Sequence, residues 1–424
     1  MIIKKTTQLR GNITIPGDKS ISHRSVMLGA IAKGITKISG FLQGADCLAT
    51  IHCFQKLGIS IESQEDALLV HGKGLHGLSA PTGALDVKNS GTTARLLSGI
   101  LVGQPFESTL SGDVSLNQRP MKRILTPLSQ MGGKIESIQK NDCAPLHILQ
   151  SSLHGIHYHS PIASAQVKSA ILLAGLYAEG ETFVSEPVLS RNHTELLLQS
   201  FGGNITTSDT TTRLQPCSQL YAQEIQIPGD ISSAAYFIAA GLLVPDSELL
   251  LQNVGINPTR NGILNVCRDM GADITCLHVA VHHGEPTADL LIRTSTLHGT
   301  LIDGSIIPTL IDEIPIIAVL AACAKGETII RNASELKAKE TNRIETITEN
   351  LTAMGALVTP LEDGMIIKGS SSLQGATIHS HGDHRIAMAF SIAGLVAQGE
   401  TNILDSPCVE ISYPTFYQTL QQLH

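Results

Sequence analysis

Six times along this 424-residue chain a polar turn opens into a helix of small residues, and the segment ends on a second turn and a strand. The openings are Ser20-Ile21-Ser22-His23-Arg24, Asn89-Ser90-Gly91-Thr92-Thr93-Ala94-Arg95, Ser164-Ala165-Gln166-Val167-Lys168, Gly229-Asp230-Ile231-Ser232-Ser233, Ile311-Asp312-Glu313-Ile314-Pro315 and Gly382-Asp383-His384-Arg385. Five of the units carry a second helix that stops on glycine, at Gly58, Gly132, Gly202, Gly271 and Gly355. Glycine just past the last apolar position ends a helix because it takes φ > 0 without a Cβ penalty. The stops recur roughly every 70–85 residues, the signature of a structural repeat. The sixth unit lacks this ending and runs out at Thr415-Phe416-Tyr417-Gln418-Thr419-Leu420.

Ile344, Ile347, Leu351 and Met354 fall at helical spacing in a second helix, while β-branched runs such as Ala67-Leu68-Leu69-Val70 read as strands. The unit is therefore βαβαββ, and the chain is of the α/β (α+β) class. One core rarely grows beyond about 250–300 residues, so two lobes of three repeats are expected. Ile13-Thr14-Ile15-Pro16-Gly17-Asp18 and Ile225-Gln226-Ile227-Pro228-Gly229-Asp230 are near copies half a chain apart. They mark a two-stranded hinge. Residues 1–16 with 231–424 should form one lobe and 17–230 the other.

Hydrophobic residues make up 42% and charged residues 16%, a globular balance. No apolar run approaches the ~20 residues of a membrane helix. The start, Met1-Ile2-Ile3-Lys4-Lys5, goes directly into a strand pattern with no signal-peptide core. The eight cysteines form no C-x-x-C pair, as expected of reduced, buried thiols in the cytoplasm. A net charge of −8 and 3% aromatics, with no Trp, disfavour nucleic-acid and membrane-surface partners. His154/His157/His159, His282/His283 and His381/His384 follow no zinc spacing, so neither metal nor other cofactor is expected.

In this acidic chain Lys19, Arg24, Arg95, Arg119, Lys339, Arg343 and Arg385 lie in or beside glycine- or proline-marked turns, at what read as equivalent repeat positions. A helix start plus a guanidinium is a site for phosphate or carboxylate. Singly, each cation is as well explained by solvent exposure. Five segments then carry a resemblance: Pro16-Gly17-Asp18-Lys19-Ser20-Ile21-Ser22-His23-Arg24-Ser25, Asn89-Ser90-Gly91-Thr92-Thr93-Ala94-Arg95-Leu96, Gly112-Asp113-Val114-Ser115-Leu116-Asn117-Gln118-Arg119-Pro120-Met121, Leu336-Lys337-Ala338-Lys339-Glu340-Thr341-Asn342-Arg343 and Gly382-Asp383-His384-Arg385-Ile386-Ala387-Met388. In this order, over the whole chain, they resemble the 5-enolpyruvylshikimate-3-phosphate synthase family of enolpyruvyl transferases.

The resemblance implies two lobes of three βαβαββ units, an inside-out α/β barrel, closing on substrate. It implies transfer of the enolpyruvyl group of phosphoenolpyruvate to the 5-hydroxyl of shikimate 3-phosphate, by addition and elimination through a tetrahedral intermediate. Asp312 matches the family carboxylate on the hydroxyl side, Glu340 the one on the methyl side, and Lys19 is the third catalytic candidate. Shikimate 3-phosphate would contact Lys19, Ser20, Arg24, Ser164, Ala165, Gln166, Ser190, Asp312 and Lys339. Phosphoenolpyruvate would contact Lys19, Gly91, Arg119, Gln166, Arg343 and Arg385. Read without the motifs, Asp312 is an N-cap before Ile314-Pro315, and Glu340 an i,i+3 partner of Arg343. Two segments depart from the family pattern. Val409-Glu410-Ile411-Ser412-Tyr413-Pro414 lacks the lysine that many members place there, and Ser190-Arg191-Asn192-His193-Thr194-Glu195 replaces a tyrosine-containing loop, with Arg191 as a substitute cation.

The family pattern goes with a cytoplasmic monomer of aromatic amino-acid biosynthesis and a target of glyphosate. The rivals are a UDP-N-acetylglucosamine enolpyruvyl transferase of the same fold and a non-catalytic binding module. The first lacks the Pro16–Arg24 turn and carries a reactive loop cysteine, whereas Cys143 has no adjacent cation. The second would have lost the paired carboxylates.

Overall fold

The computed structural model describes residues 1–369 and 372–423. The chain divides into two units, one inserted into the other. The inserted unit comprises Gly17–Ile227 and His282–Glu285, and the flanking unit comprises Met1–Pro16, Pro228–Val281 and the chain from Pro286 to its end.

Every repeat contributes two helices. In the inserted unit these are α1 (Lys19–Ile31) and α2 (Ala45–Lys56), α3 (Gly91–Leu101) and α4 (Lys122–Gln130), and α5 (Ala165–Gly175) and α6 (His193–Ser200). In the flanking unit they are α7 (Ile231–Leu243) and α8 (Gly262–Asp269), α9 (Ile314–Cys323) and α10 (Arg343–Ala353), and α11 (His384–Gly394) and α12 (Phe416–Gln421). The first helices are buried almost all round, and α7, α9 and α11 pack on one another. Their small residues allow close approach: a Cβ on Gly99 would stand 2.2 Å from the Ala170 carbonyl of α5. The second helices keep one apolar face, as the burial of Ile344, Ile347, Leu351 and Met354 in and just past α10 shows.

Five of the six sheets share one strand order. In the second repeat, Leu85–Asp86 runs parallel to Ser108–Ser111, which is antiparallel to Leu146–Leu149, which is antiparallel to Lys134–Ser137. That is the βαβαββ unit read from the sequence. Gly58, Gly132, Gly202, Gly271 and Gly355 have φ between +83° and +90°, so each second-helix stop is left-handed in fact.

Two repeats take their opening strand from far along the chain. Leu220–Tyr221 and Glu224–Gln226 run parallel to Ala32–Ser39 and open the first repeat, and Arg10–Thr14 runs parallel to Glu248–Gly255 and opens the fourth. The sixth repeat does not simply run out. Ile2–Lys4 pairs antiparallel with Glu400–Leu404, leaving a three-stranded sheet, and the short α12 follows.

The second crossing between units lies at Ile227–Pro228 rather than after Asp230. The reason is local: Asp230 caps α7 and its N–H donates to Pro16 O at 2.9 Å, which ties it to the flanking unit. Gly17, at the first crossing, has no room for a side chain, since a Cβ would lie 1.8 Å from Gly40 O. No helix among the described residues is long and apolar enough to cross a membrane. All eight cysteines are unpaired, but only Cys47, Cys53 and Cys267 are fully buried. Burial pushes the Cys53, Cys267 and Cys323 thiols up to about 12, which makes them poor nucleophiles.

Candidate active site

Five of the six first helices begin on a side-chain cap. Asp18, Ser90, Ser164, Asp230 and Asp383 each accept a backbone N–H of the first turn. The exception is α9, whose N-cap is Glu313 with no capping bond and which relies on Pro315 instead. Glu313, and not Asp312, therefore holds the N-cap position of α9. The seven cations do not occupy equivalent positions. Lys19, Arg24, Arg95 and Arg385 ride on first helices and Arg343 opens a second helix, while Arg119 and Lys339 each follow a 3-10 turn, Leu116–Gln118 and Ser334–Ala338.

In the inserted unit, Gly91 is the first residue of α3 and lies against two guanidinium groups; a Cβ built on it falls 2.7 Å from Arg95 Nη1 and 3.6 Å from Arg119 Nη1. Arg95 Nη1 donates to Gln166 Oε1 at 2.9 Å, and Gln166 Nε2 donates to Thr92 Oγ1 at 3.1 Å. Arg119 Nη2 donates to Asn89 Oδ1 at 2.5 Å, and Asn89 Nδ2 donates to both Asp113 oxygens. Gly91, Arg119 and Gln166 are thereby gathered around Arg95. Lys19, the first residue of α1, forms an ion pair with Asp46 of α2. Arg24 is buried, and its donors reach Thr194 Oγ1 (2.6 Å), Ser20 O (2.9 Å) and Ser169 Oγ (2.8 Å). Burial brings its pKa down to about 10, against the pull of Glu195 and Asp18. Ser164 and Ala165 begin α5, and Ser190 lies in the loop before α6. Ala165 offers only backbone groups, and its carbonyl accepts from Ser169 Oγ at 2.5 Å.

His23 is no base for the neighbouring serines. Its Nδ1 bonds to Thr50 Oγ1 at 2.7 Å, while Ser22 Oγ accepts from Leu42 N–H. Burial, with Lys19 and Arg24 nearby, lowers its pKa to about 3 although Asp46 opposes this, so the ring stays neutral.

In the flanking unit, Asp312 faces Lys339 Nζ at 3.5 Å, Arg343 Nη1 at 3.7 Å and Arg385 Nη2 at 3.8 Å. Three cations thus converge on this carboxylate, and Lys339 Nζ also donates to Glu335 Oε1 at 3.2 Å. Arg343 is fully buried and is held by Asp383 through Nε (2.8 Å) and Nη2 (3.2 Å); Nη2 also donates to Glu340 Oε2 at 2.6 Å. Its Nη1 makes no hydrogen bond among the described residues. The Arg343–Glu340 pair does have i,i+3 spacing, but it joins a buried guanidinium to a turn ahead of α10 rather than decorating a solvated helix. Burial raises the Glu340 pKa, but Arg343, His384 and Arg385 outweigh it and hold the carboxyl well below the usual range. Beside Arg385, burial favours the neutral form but Asp312, Tyr236 and Glu313 override it, so its pKa stands well above that of free arginine.

Sequence reasoning missed the supports of these groups. Glu313 is buried, accepts from Ser232 Oγ and from Arg260 Nη1 at 3.1 Å, and lies 3.9 Å from Arg385 Nη1. Asp383 serves both as cap and as clamp on Arg343. Asp383 stands inside a recognised segment and Glu313 inside one of the six repeat openings, so the available signal was a carboxylate directly beside a helix start. Ile411, in the segment without the family lysine, is 37% exposed and brings no charge. Among the described residues, no group of three or more His, Cys, Asp or Glu side chains is gathered as for a metal ion.

A family model described as EPSP synthase (3-phosphoshikimate 1-carboxyvinyltransferase) matches residues 3–420. The chain is 53% identical over 421 residues to a 3-phosphoshikimate 1-carboxyvinyltransferase of Brevibacillus brevis, covering 99% of each chain. It is 54% identical over 415 residues to the Bacillus cereus protein of that name, covering 98% of this chain and 97% of the relative. Among solved structures, EPSP synthase from Acinetobacter baumannii superposes with a TM-score of 0.91 at 45% identity, covering 100% of this chain and 97% of the other. The enolpyruvyl transferase NikO from Streptomyces tendae, at 17% identity and a TM-score of 0.80 over 100% and 96% of the two chains, shares the fold alone.

Proposed function

The chain belongs to the EPSP synthase family, and we propose that it transfers the enolpyruvyl (1-carboxyvinyl) group of phosphoenolpyruvate to the 5-hydroxyl of shikimate 3-phosphate with release of phosphate. The observation that carries this reading is the convergence of three fixed cations on Asp312, with Lys339, Arg343 and Arg385 at 3.5–3.8 Å from its carboxylate and a buried Arg343 Nη1 that makes no hydrogen bond among the described residues. Both substrates carry a phosphate and a carboxylate, and fixed donors of this kind suit such anions.

In this reading phosphoenolpyruvate is bound by Lys19, Gly91, Arg119, Gln166, Arg343 and Arg385. Shikimate 3-phosphate is bound by Lys19, Ser20, Arg24, Ser164, Ala165, Gln166, Ser190, Asp312 and Lys339. Asp312 takes the proton of the attacking hydroxyl, whose oxygen adds to C2 of phosphoenolpyruvate while C3 takes a proton from the Lys19 ammonium and becomes a methyl group. The C2–phosphate bond then breaks, and the methyl group returns a proton to regenerate the vinyl group. Glu340 suits the methyl side. It rests as a carboxylate beside Arg343, ready to take the methyl proton, and an anion bound at Arg343 and Arg385 offsets their charge and raises its basicity. Lys19 provides charge, and a second proton carrier, from the other constellation. The acting form is read as a cytoplasmic monomer without cofactor, a reading supported by eight unpaired thiols and by the presence of both constellations in one chain.

The test is phosphate release from phosphoenolpyruvate with each of two acceptors. Release with shikimate 3-phosphate and none with UDP-N-acetylglucosamine is expected; the reverse pattern, or no release with either, contradicts the assignment.

A further inference from the structure

Behind the turns that carry Ser164 and Ser190 lies a buried charged cluster to which no role has been given. Glu186 follows the strand Thr182–Ser185 and is 4% exposed, Lys168 on α5 is 1% exposed, and Glu195 in the first turn of α6 is 5% exposed. Lys168 Nζ lies 2.9 Å from Glu186 Oε2 and 2.6 Å from Glu195 Oε1, and it donates to Ser190 O at 3.3 Å. Glu186 uses both of its oxygens on the two serine turns. Oε1 accepts Ser164 N–H at 2.9 Å, and Oε2 accepts Ser190 N–H at 3.1 Å and Ser190 Oγ–H at 2.9 Å.

Such an arrangement is costly unless it does something specific. Burying ion pairs seldom adds net stability over well-packed apolar residues. Here one carboxylate joins a helix N-cap to a loop that no regular backbone pairing fixes. Ser164 is set at the mouth of α5 and Ser190 beside it, and Lys168 balances the charge that this bridge introduces. The Ser190 hydroxyl has a single proton, and Glu186 holds it. A bound phosphate oxygen competes for that proton, while the Ser190 N–H bond keeps the loop in place.

We propose that Glu186 is a positioning residue for shikimate 3-phosphate: it presets Ser164 and Ser190 and lends the Ser190 hydroxyl proton, which passes from the Glu186 hydrogen bond to the substrate's anionic oxygen on binding. The proposal rests on the reaction assigned above. It separates Glu186 from Glu195, which shares Lys168 but has no bond to either serine among those described.

The experiment compares wild type, Glu186→Gln and Glu195→Gln in steady-state kinetics with each substrate varied in turn, with the thermal midpoint measured alongside. Glu186→Gln turns one acceptor oxygen into a donor and clashes with an N–H it formerly bonded. Its KM for shikimate 3-phosphate should rise about tenfold to a hundredfold, the loss expected for charge-assisted bonds. Its KM for phosphoenolpyruvate should stay within about threefold by the same conversion. Glu195→Gln should lower the thermal midpoint while its KM for shikimate 3-phosphate stays within about twofold. Should Glu186→Gln not accumulate as folded protein, Glu186→Asp, which is too short to span both serines, reads the same selective rise. An unchanged KM for shikimate 3-phosphate in the Glu186 variants overturns the proposal. So does an equal loss for both substrates, or an equal rise in Glu195→Gln. If wild type itself releases no phosphate, the functional reading fails and the proposal falls with it; an active wild type with insensitive Glu186 variants removes the proposal alone.

Discussion

A hydrogen atom at Gly91 is all that the first turn of α3 tolerates beside Arg95. Alanine there puts a Cβ 2.7 Å from Arg95 Nη1, so the guanidinium must move, and with it the hydrogen bond that fixes Gln166. The movable partner is the end of a flexible side chain, so the fold survives and the site is retuned. Gly91→Ala should raise the KM for phosphoenolpyruvate by roughly fivefold, about 1 kcal/mol, and weaken inhibition by the bulkier glyphosate further. Steady-state kinetics showing neither change would count against the placement of Gly91. For Glu340, replacement by Gln keeps the shape but removes the base, and kcat should fall by about 10²- to 10⁴-fold. Because Arg343, His384 and Arg385 hold this carboxyl down, it is lost only as pH falls through a value below the usual carboxylate range. The wild-type kcat/KM profile should accordingly show no inflection from Glu340 around pH 4–5, where a free glutamate titrates. A variant with wild-type kcat would remove Glu340 from the mechanism. These two positions were legible because they lie inside recognised motifs. Glu186 and Lys168 were not, since a lone charged residue far from its partner in sequence carries no periodic or spacing signal.

At the level of single elements, the helices were the most readable part of the chain. Cap residues and stop glycines act locally: Asp18, Ser90, Ser164, Asp230 and Asp383 cap the helices that the polar turns announce, whereas Asp312, the one cap read from the sequence, is not one. The exception is instructive: Pro315 fixes the start of α9 so well that no side chain is needed, and Asp312 is left to face three cations. Helix α1 carries the clearest pH signature. Its His23 titrates near 3 in the folded protein and near 6.5 when unfolded. The unfolded chain therefore binds the extra proton between those values, so the stabilisation is complete above pH 6.5 and is lost as pH falls towards 3. The slope from this residue approaches ~1.4 kcal/mol per pH unit. Denaturant titrations of His23→Asn should show a shallower loss of stability between pH 6.5 and 4 than wild type. Parallel curves would mean that His23 is not the buried neutral ring described.

Over the whole chain, local signals run out where strands are exchanged. Arg10–Thr14 pairs with Glu248–Gly255, and Ile2–Lys4 with Glu400–Leu404, across hundreds of residues. Hydrogen bonding of a strand is indifferent to sequence separation, so periodicity reveals that a strand exists but not which sheet receives it. The near-copied Pro16-Gly17 and Pro228-Gly229 segments were the visible trace of this exchange, because a crossing needs close backbone approach, as at Gly17. The tip His282–Glu285 left no such trace, although Glu285 Oε1 lies 2.5 Å from His193 Nδ1 in the inserted unit. The net charge of −8 likewise conceals cations that act locally. All of this bears on one claim, that those cations and the pair Asp312 and Glu340 carry an addition followed by an elimination. Running the reaction in D2O with shikimate 3-phosphate and phosphoenolpyruvate tests it most directly, read by proton and phosphorus magnetic resonance. Deuterium in the vinyl group of the product, with one inorganic phosphate released per product, is the predicted result. Product whose vinyl group carries no deuterium, or no product at all, would contradict it.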